Sequence, residues 1–159
     1  MSSKRQLAIA SWGDPRGAGT WSGTPAHLIA ALEKQGVEIL DLNCGLPLEK
    51  WRLPRIADRI VGRNAEHTLR RLGGKICARL AKNLPSSCAG IVHMGSITVP
   101  PAGSTPGVRH FLLCDAMNDF WEKYSPSPKI RNRTPLQRKV SEADECAAVS
   151  GTDWFFPIS

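Results

Sequence analysis

The stretch from Leu7 to Leu42 constrains the fold more than any other. It begins with Leu7-Ala8-Ile9-Ala10, a short apolar run of the kind found in a strand covered on both faces. After an intervening loop, Ala26-His27-Leu28-Ile29-Ala30-Ala31-Leu32 places apolar residues at helical spacing. The loop ends in Thr20-Trp21-Ser22-Gly23-Thr24-Pro25. Thr24 suits an N-cap, and Pro25 suits the first helical position, where a missing N–H costs nothing. Gly36 then closes the helix, and Val37-Glu38-Ile39-Leu40-Asp41-Leu42 predicts the next strand. In a parallel sheet such a unit carries its loop to the carboxyl ends of the strands. There the free N–H groups and positive dipole end of the helix favour an anion. The other reading of the loop is a solvated turn whose glycine only lets the chain bend.

The rest of the chain repeats the alternation. Cys88-Ala89-Gly90-Ile91-Val92-His93-Met94 predicts a third strand, and Pro100, Pro101, Pro106 and Gly107 a loop. Val108 to Cys114 predicts a fourth strand that ends at Asp115. Ala116 to Tyr124 predicts a helix, and the proline-rich and basic region from Ser125 to Pro135 a surface loop. Leu136, Val140 and Ala143 mark a last helix, with Cys146-Ala147-Ala148-Val149-Ser150 expected as the fifth strand. Strands alternating with helices in this way imply a Rossmann-like, doubly wound, mainly parallel α/β sheet, helices on both faces, in a single domain over residues 1–159.

Charge is distributed unevenly. The chain carries a formal +7, and the segment from Lys50 to Lys82 holds ten basic residues against Asp58 and Glu66, a net +8. The excess therefore sits in one place. Leu53, Ile56, Ile60 and Val61 form one helical stripe there, and Leu69, Leu72, Ile76, Leu80 and Leu84 a second, with Gly73-Gly74 expected to break or bend the helix between them. Two readings fit: basic amphipathic helices for an anionic membrane surface or other polyanion, or core-packed helices with arginine on the wet side. Nucleic acid is disfavoured, because no aromatic residues interleave the basic ones and no known module is present. No apolar run approaches the roughly 20 residues that span a bilayer. Cys44, Cys77, Cys88, Cys114 and Cys146 are scattered and form no CxxC pair, and His27, His67, His93 and His110 show no metal-ligand spacing. The expectation is a cytoplasmic protein without a metal, attached peripherally at the inner face of a membrane where the basic helices bind lipid.

Trp21-Ser22-Gly23-Thr24-Pro25-Ala26-His27-Leu28, followed by Ala31-Leu32-Glu33 and Gly36-Val37-Glu38, resembles the opening of retaining GT-B glycosyltransferases of family four. The arginine-rich helices, the strand ending in Cys114-Asp115-Ala116, and Val149-Ser150-Gly151-Thr152-Asp153-Trp154 keep the family's order and approximate spacing. The resemblance implies that this chain is the acceptor-side domain. Ser22, Gly23 and Thr24 would then face the diphosphate of a nucleotide-sugar donor, and His27 and His93 would face the glycan or lipid acceptor. Asp115 would stand where many relatives carry a histidine near the sugar; as an alternative it simply caps the following helix. Complete enzymes of the family add a second Rossmann-like domain with paired glutamates, and nothing here corresponds to it. The expectation is a chain inactive alone and binding no cofactor by itself, which associates with a complementary donor-binding domain or with itself through Trp154, Phe155 and Phe156.

A small dinucleotide-binding domain is the rival reading. Gly17-Ala18-Gly19 matches part of the glycine fingerprint, and Asp41 closes the second strand where a ribose-binding acid would lie. Against it stand Ser22 at the third glycine position and the length of the loop, which contains Pro15. A third reading is a non-catalytic α/β module that docks through its basic helices.

Overall fold

The computed structural model describes residues 5–63, 67–114, 123–124 and 132–157. Strands β1 (Gln6–Ser11), β2 (Glu38–Asn43), β3 (Cys88–Met94), β4 (His110–Cys114) and β5 (Trp154–Pro157) form one sheet in the order β2-β1-β3-β4-β5, every neighbouring pair parallel. Among the described residues the helices are α1 (Thr24–Lys34), α2 (Leu48–Ile60), α3 (His67–Ala81) and α4 (Pro135–Ser150). The fold is the doubly wound α/β sheet that the alternating pattern predicts. Asp115, the expected helix from Ala116 apart from Lys123 and Tyr124, and most of the expected loop up to Pro135 lie outside the described residues.

Alternation along the strands sorts the core into two faces. Ile9, Ile39 and Met94 point one way and bury Ile29 of α1, with Leu28, Leu32 and Trp21 packed around them. Ala8, Ala10, Leu42 and Ile91 point the other way, against Cys77 and Ala81 of α3. On that same side Leu112 of β4 meets Val99 and Ala148 of α4. The small side chains Ala8 and Ala10 let α3 sit close to the sheet.

Three local expectations change. The run Cys146–Ser150 is the last turn of α4, and the fifth strand is Trp154–Pro157. Thr134 and Gln137 form a reciprocal capping box that starts α4 firmly. Ala148 continues the every-fourth-residue row from Leu136 and Val140, so the helical period carries on to the Gly151 cap. An isolated run of small residues carries neither signal. In β5, Trp154 and Phe156 remain 62% and 48% exposed while Phe155 packs beside Leu112.

The second change concerns α2. Its apolar stripe does not enter the core: Leu53 is 74% exposed, Ile56 50% and Ile60 79%. The opposite side of the helix carries the buried group. Asp58, only 1% exposed, accepts from Thr68 N at 2.9 Å and from Thr68 Oγ1 at 2.7 Å, placing a carboxylate at the start of α3.

The third change concerns Gly73 and Gly74, which neither break nor bend a helix boundary but lie buried inside α3. The backbone after β3 runs directly against them. A Cβ on Gly73 would collide with the Ile97 carbonyl oxygen and approach Trp12, and one on Gly74 would come within 2.5 Å of Val99 O. The pair lets α3 clamp the segment after β3, at a cost in helix propensity of about 1 kcal/mol per glycine. That sets two effects in opposition. Alanine at Gly73 gains about 1 kcal/mol of propensity but overpacks a backbone carbonyl, which costs typically about 1–3 kcal/mol or more. Gly73→Ala should therefore lower the urea unfolding midpoint, whereas Gly36→Ala, where a Cβ meets nothing within 4 Å, should show only the milder cost of its left-handed backbone. A Gly73→Ala variant more stable than the parent would remove the clamp.

Candidate functional site

The order β2-β1-β3 means that the chain leaves β1 outward to β2 and then crosses back to β3. The carboxyl ends of β1 and β3 therefore flank a topological switch point, where ligands of open α/β sheets bind. After β1, Ser11 is buried and its hydroxyl donates to Gly13 O at 2.7 Å, turning the chain out of the sheet. The loop then comes back through a 3-10 turn, Thr20–Gly23, into α1.

That turn is the most unusual backbone among the described residues. Trp21 (φ 48°, ψ 44°), Ser22 (φ 53°, ψ 29°) and Gly23 (φ 81°, ψ 1°) are consecutive left-handed residues, and Trp21 and Ser22 are the non-glycine residues with positive φ among those described. For a residue with a Cβ the left-handed conformation costs roughly 1–2 kcal/mol. The compensation is visible. Trp21 joins the apolar cluster under α1, and its indole lies over Gly95, the residue just after β3, where a Cβ would overlap the ring. Gly95 itself takes φ 83°. One aromatic side chain thus ties the loop after β1 to the loop after β3 at the switch point.

The turn brings the expected donor-facing residues together. Ser22 and Thr24 are exposed, Gly23 is buried, and His27 on the first turns of α1 is exposed with Nε2 3.7 Å from the point where a Gly23 Cβ would stand. Thr24 is already helical and Gly23 occupies the cap position, one residue earlier than expected. No side chain caps α1; the Thr24 N–H donates to Trp21 O within the preceding turn and Pro25 has no N–H, so of the first three residues of α1 only Ala26 keeps an N–H for solvent or a ligand. Asp115 follows Cys114, the last residue of β4, and lies outside the described residues.

His93 has a different setting. It is fully buried, with Nδ1 2.9 Å from Thr98 Oγ1 and Nε2 2.8 Å from His110 Nδ1. His110 Nε2 continues to Thr105 Oγ1 at 2.6 Å, and the two rings stack with centroids 5.1 Å apart. Both nitrogens of both rings are therefore occupied, and His93 offers no surface to an acceptor. A single proton between the rings satisfies this chain when both are neutral; two protonated rings would set donor against donor. Burial, with the neighbouring His110 adding to it, pushes the His93 pKa down to about 3. Burial also lowers His110, partly opposed by the charge of Asp153, which accepts from the His110 backbone N–H at 2.7 Å. Neither His110 nor Thr98 stood out in the sequence, because their partners lie across strands and loops.

The dinucleotide features fall apart in space. Twelve residues separate β1 from α1, and Gly17 sits in a turn that folds back onto Asp14 O, away from the helix start. Asp41 is held by Arg16 Nε at 2.5 Å, while Arg16 Nη2 reaches Glu33 at 2.8 Å. These two partners hold the arginine firmly charged, with Glu33 the larger influence. Among the described residues, no group of three or more His, Cys, Asp or Glu is placed to hold a metal ion, and no helix is long and apolar enough to cross a membrane.

The buried histidines predict a pH dependence. Their pKa values are depressed in the folded state, so the unfolded chain binds more protons below about pH 6.5. Stability should be fully present above that pH and decline as pH falls toward 3, by about 2 kcal/mol at pH 5 from His93 alone. In urea titrations at pH 7.5 and 5.0, His93→Gln should lose less stability on acidification than the parent. Equal losses would show that the pair does not carry the acid sensitivity.

No known protein family, characterised protein or solved structure matches this chain, so its function is read from its own geometry.

Proposed function

We propose that the chain is the acceptor-side domain of a glycosyltransferase that moves a sugar from a nucleotide-sugar donor to a glycan or lipid acceptor. The observation that supports this most is the left-handed turn Trp21-Ser22-Gly23, set at the switch point and leading into the start of α1, which no side chain covers by capping. Backbone held in a sparsely populated region persists only where surrounding packing imposes it, and it concentrates at sites that act on ligands. In this reading Gly23 lets a diphosphate approach the main chain, and the Ala26 N–H with the positive end of the α1 dipole stabilises the negative charge that grows on the departing phosphate. Ser22 and Thr24 flank that point with hydroxyls, and His27 stands on the acceptor side. Asp115, directly after β4, accepts a hydroxyl proton or hydrogen bond from the sugar or acceptor. His93 contributes by fixing the loops rather than by contact. Further donor contacts come from a complementary donor-binding domain.

The magnitudes agree with that division. An exposed helix N-terminus favours an anion by about 0.3–1 kcal/mol, whereas millimolar binding already needs about 4 kcal/mol. Amide NMR titrations with uridine and guanosine diphosphate sugars should give weak, saturable shifts centred on residues 21–24. Gly23→Val should abolish them while leaving the remaining spectrum in place, because a β-branched side chain occupies the anion's space and resists the left-handed backbone. Shifts scattered over the surface, or unaltered in a folded Gly23→Val variant, would take the turn out of donor binding.

The exposed stripe on α2 favours a second property, attachment to an anionic membrane surface. Leu53, Ile56, Ile60 and Val61 face outward, and Lys50, Arg52, Arg55, Arg59 and Arg63 are exposed around them. An amphipathic helix of this kind lies in the interface with its apolar side among the acyl chains and its cations among the headgroups. Each cation near such a surface adds about 1 kcal/mol before screening. The protein should sediment with phosphatidylserine vesicles, less so at high salt, and Ile56→Asp with Ile60→Asp should release it. Equal sedimentation with neutral vesicles at low salt counts decisively against the attachment.

A further inference from the structure

The α3–α4 groove contains a basic side chain with an unmet need. Arg70, on the second turn of α3, donates from Nη1 to Ser96 Oγ at 2.6 Å, yet its Nε is buried with no hydrogen-bond partner. A buried, unpaired N–H on a charged group is costly and calls for an explanation. Beside it lies a cleft of about 130 Å³ lined by Arg70, Arg71, Ser96, Pro100 and Asp144. Arg71 is exposed at its rim. The carboxylate there is already engaged: both oxygens of Asp144 lie within 3.0 Å of His67 Nδ1.

We propose that this cleft is a binding site for a phosphate monoester group, with Arg70 as its principal ligand and Arg71 and the Ser96 hydroxyl in support. A guanidinium offers five donors in a planar fork that matches two phosphate oxygens at once, through Nε and one Nη. Turning that fork toward the cleft exchanges an orphaned N–H for a charge-assisted pair, which supplies the drive for binding. The floor is rigid, because Gly73 and Gly74 clamp the Ser96–Pro100 backbone to α3. Ser96 also follows Gly95, which carries the Trp21 indole, so the cleft adjoins the switch point. Only the ligand's role rests on the glycosyltransferase reading: there, the phosphate belongs to the acceptor. The site itself does not depend on that reading.

Nitrogen-15 NMR of the arginine Nε–H signals tests the site directly. Titration with inorganic phosphate should move the Arg70 signal strongly and saturably, whereas chloride at matched ionic strength should not. Arg70→Lys, which keeps the charge but loses the fork, should weaken binding about tenfold or more, and Arg79→Gln farther along α3 should leave it unchanged. Glucose 6-phosphate and phosphatidic acid vesicles then separate a soluble phosphomonoester from a lipid headgroup as the source. An Arg70 signal that ignores phosphate, or answers chloride equally, would mean that only a buried water meets Nε and would overturn the site. Should Arg70→Lys fail to fold, the signal of the parent protein still decides. The amides of residues 21–24, read in the same samples, report on the donor-facing turn separately.

Discussion

The contact on which the candidate site depends is the Trp21 indole lying over Gly95. It is a steric constraint first: the ring occupies the space of a Cβ, so the residue after β3 must be glycine. It is an energetic one as well. Burial of the indole in the cluster with Ile9, Ile29 and Met94 offsets the cost of holding Trp21 and Ser22 left-handed. Without that packing the turn would relax and the start of α1 would no longer be presented at the mouth between β1 and β3.

The other face of the sheet is governed by close approach of a different kind. Gly73 and Gly74 allow the Ile97 and Val99 carbonyls to press on α3, and His93 and His110 hold the same segment from below through Thr98 and Thr105. The loop after β3 is thus fixed on both sides, by backbone contact above and by a closed hydrogen-bond chain beneath. Loops at the carboxyl ends of parallel strands carry function only when a rigid scaffold positions them. Here rigidity comes from missing side chains as much as from present ones.

Much of this was legible in the chain. The apolar runs of β1, β2, β3 and β4 and the stripes of α1 and α3 appear because burial imposes periods that the sequence must follow. Glycine and proline punctuated α1 nearly to the residue. Legibility ended where one pattern served two structures. Cys146–Ser150 is apolar enough for a strand, and only the capping box twelve residues earlier and the packing of Ala148 on Leu112 made it helix. Gly73-Gly74 has the composition of a break, but its reason lies in a carbonyl from another segment. The stripe of α2 has the period of a buried face, yet the buried group is Asp58 on the other side, bound to the next helix.

By itself, then, the sequence determined the alternation of elements, the doubly wound class and the placing of a glycine turn before α1, because backbone propensity and hydrophobic period are local properties. Tertiary structure alone decided which histidines are sealed in and which is exposed, that Asp41 pairs with Arg16, and that Arg70 keeps a donor without a partner. Each of those outcomes depends on groups brought together across long sequence separations, as with His93 and His110 on neighbouring strands or Arg70 and Ser96 on helix and loop. Burial and hydrogen bonding assign a side chain's chemistry only after such neighbours are in place, and no local pattern along the chain encodes them.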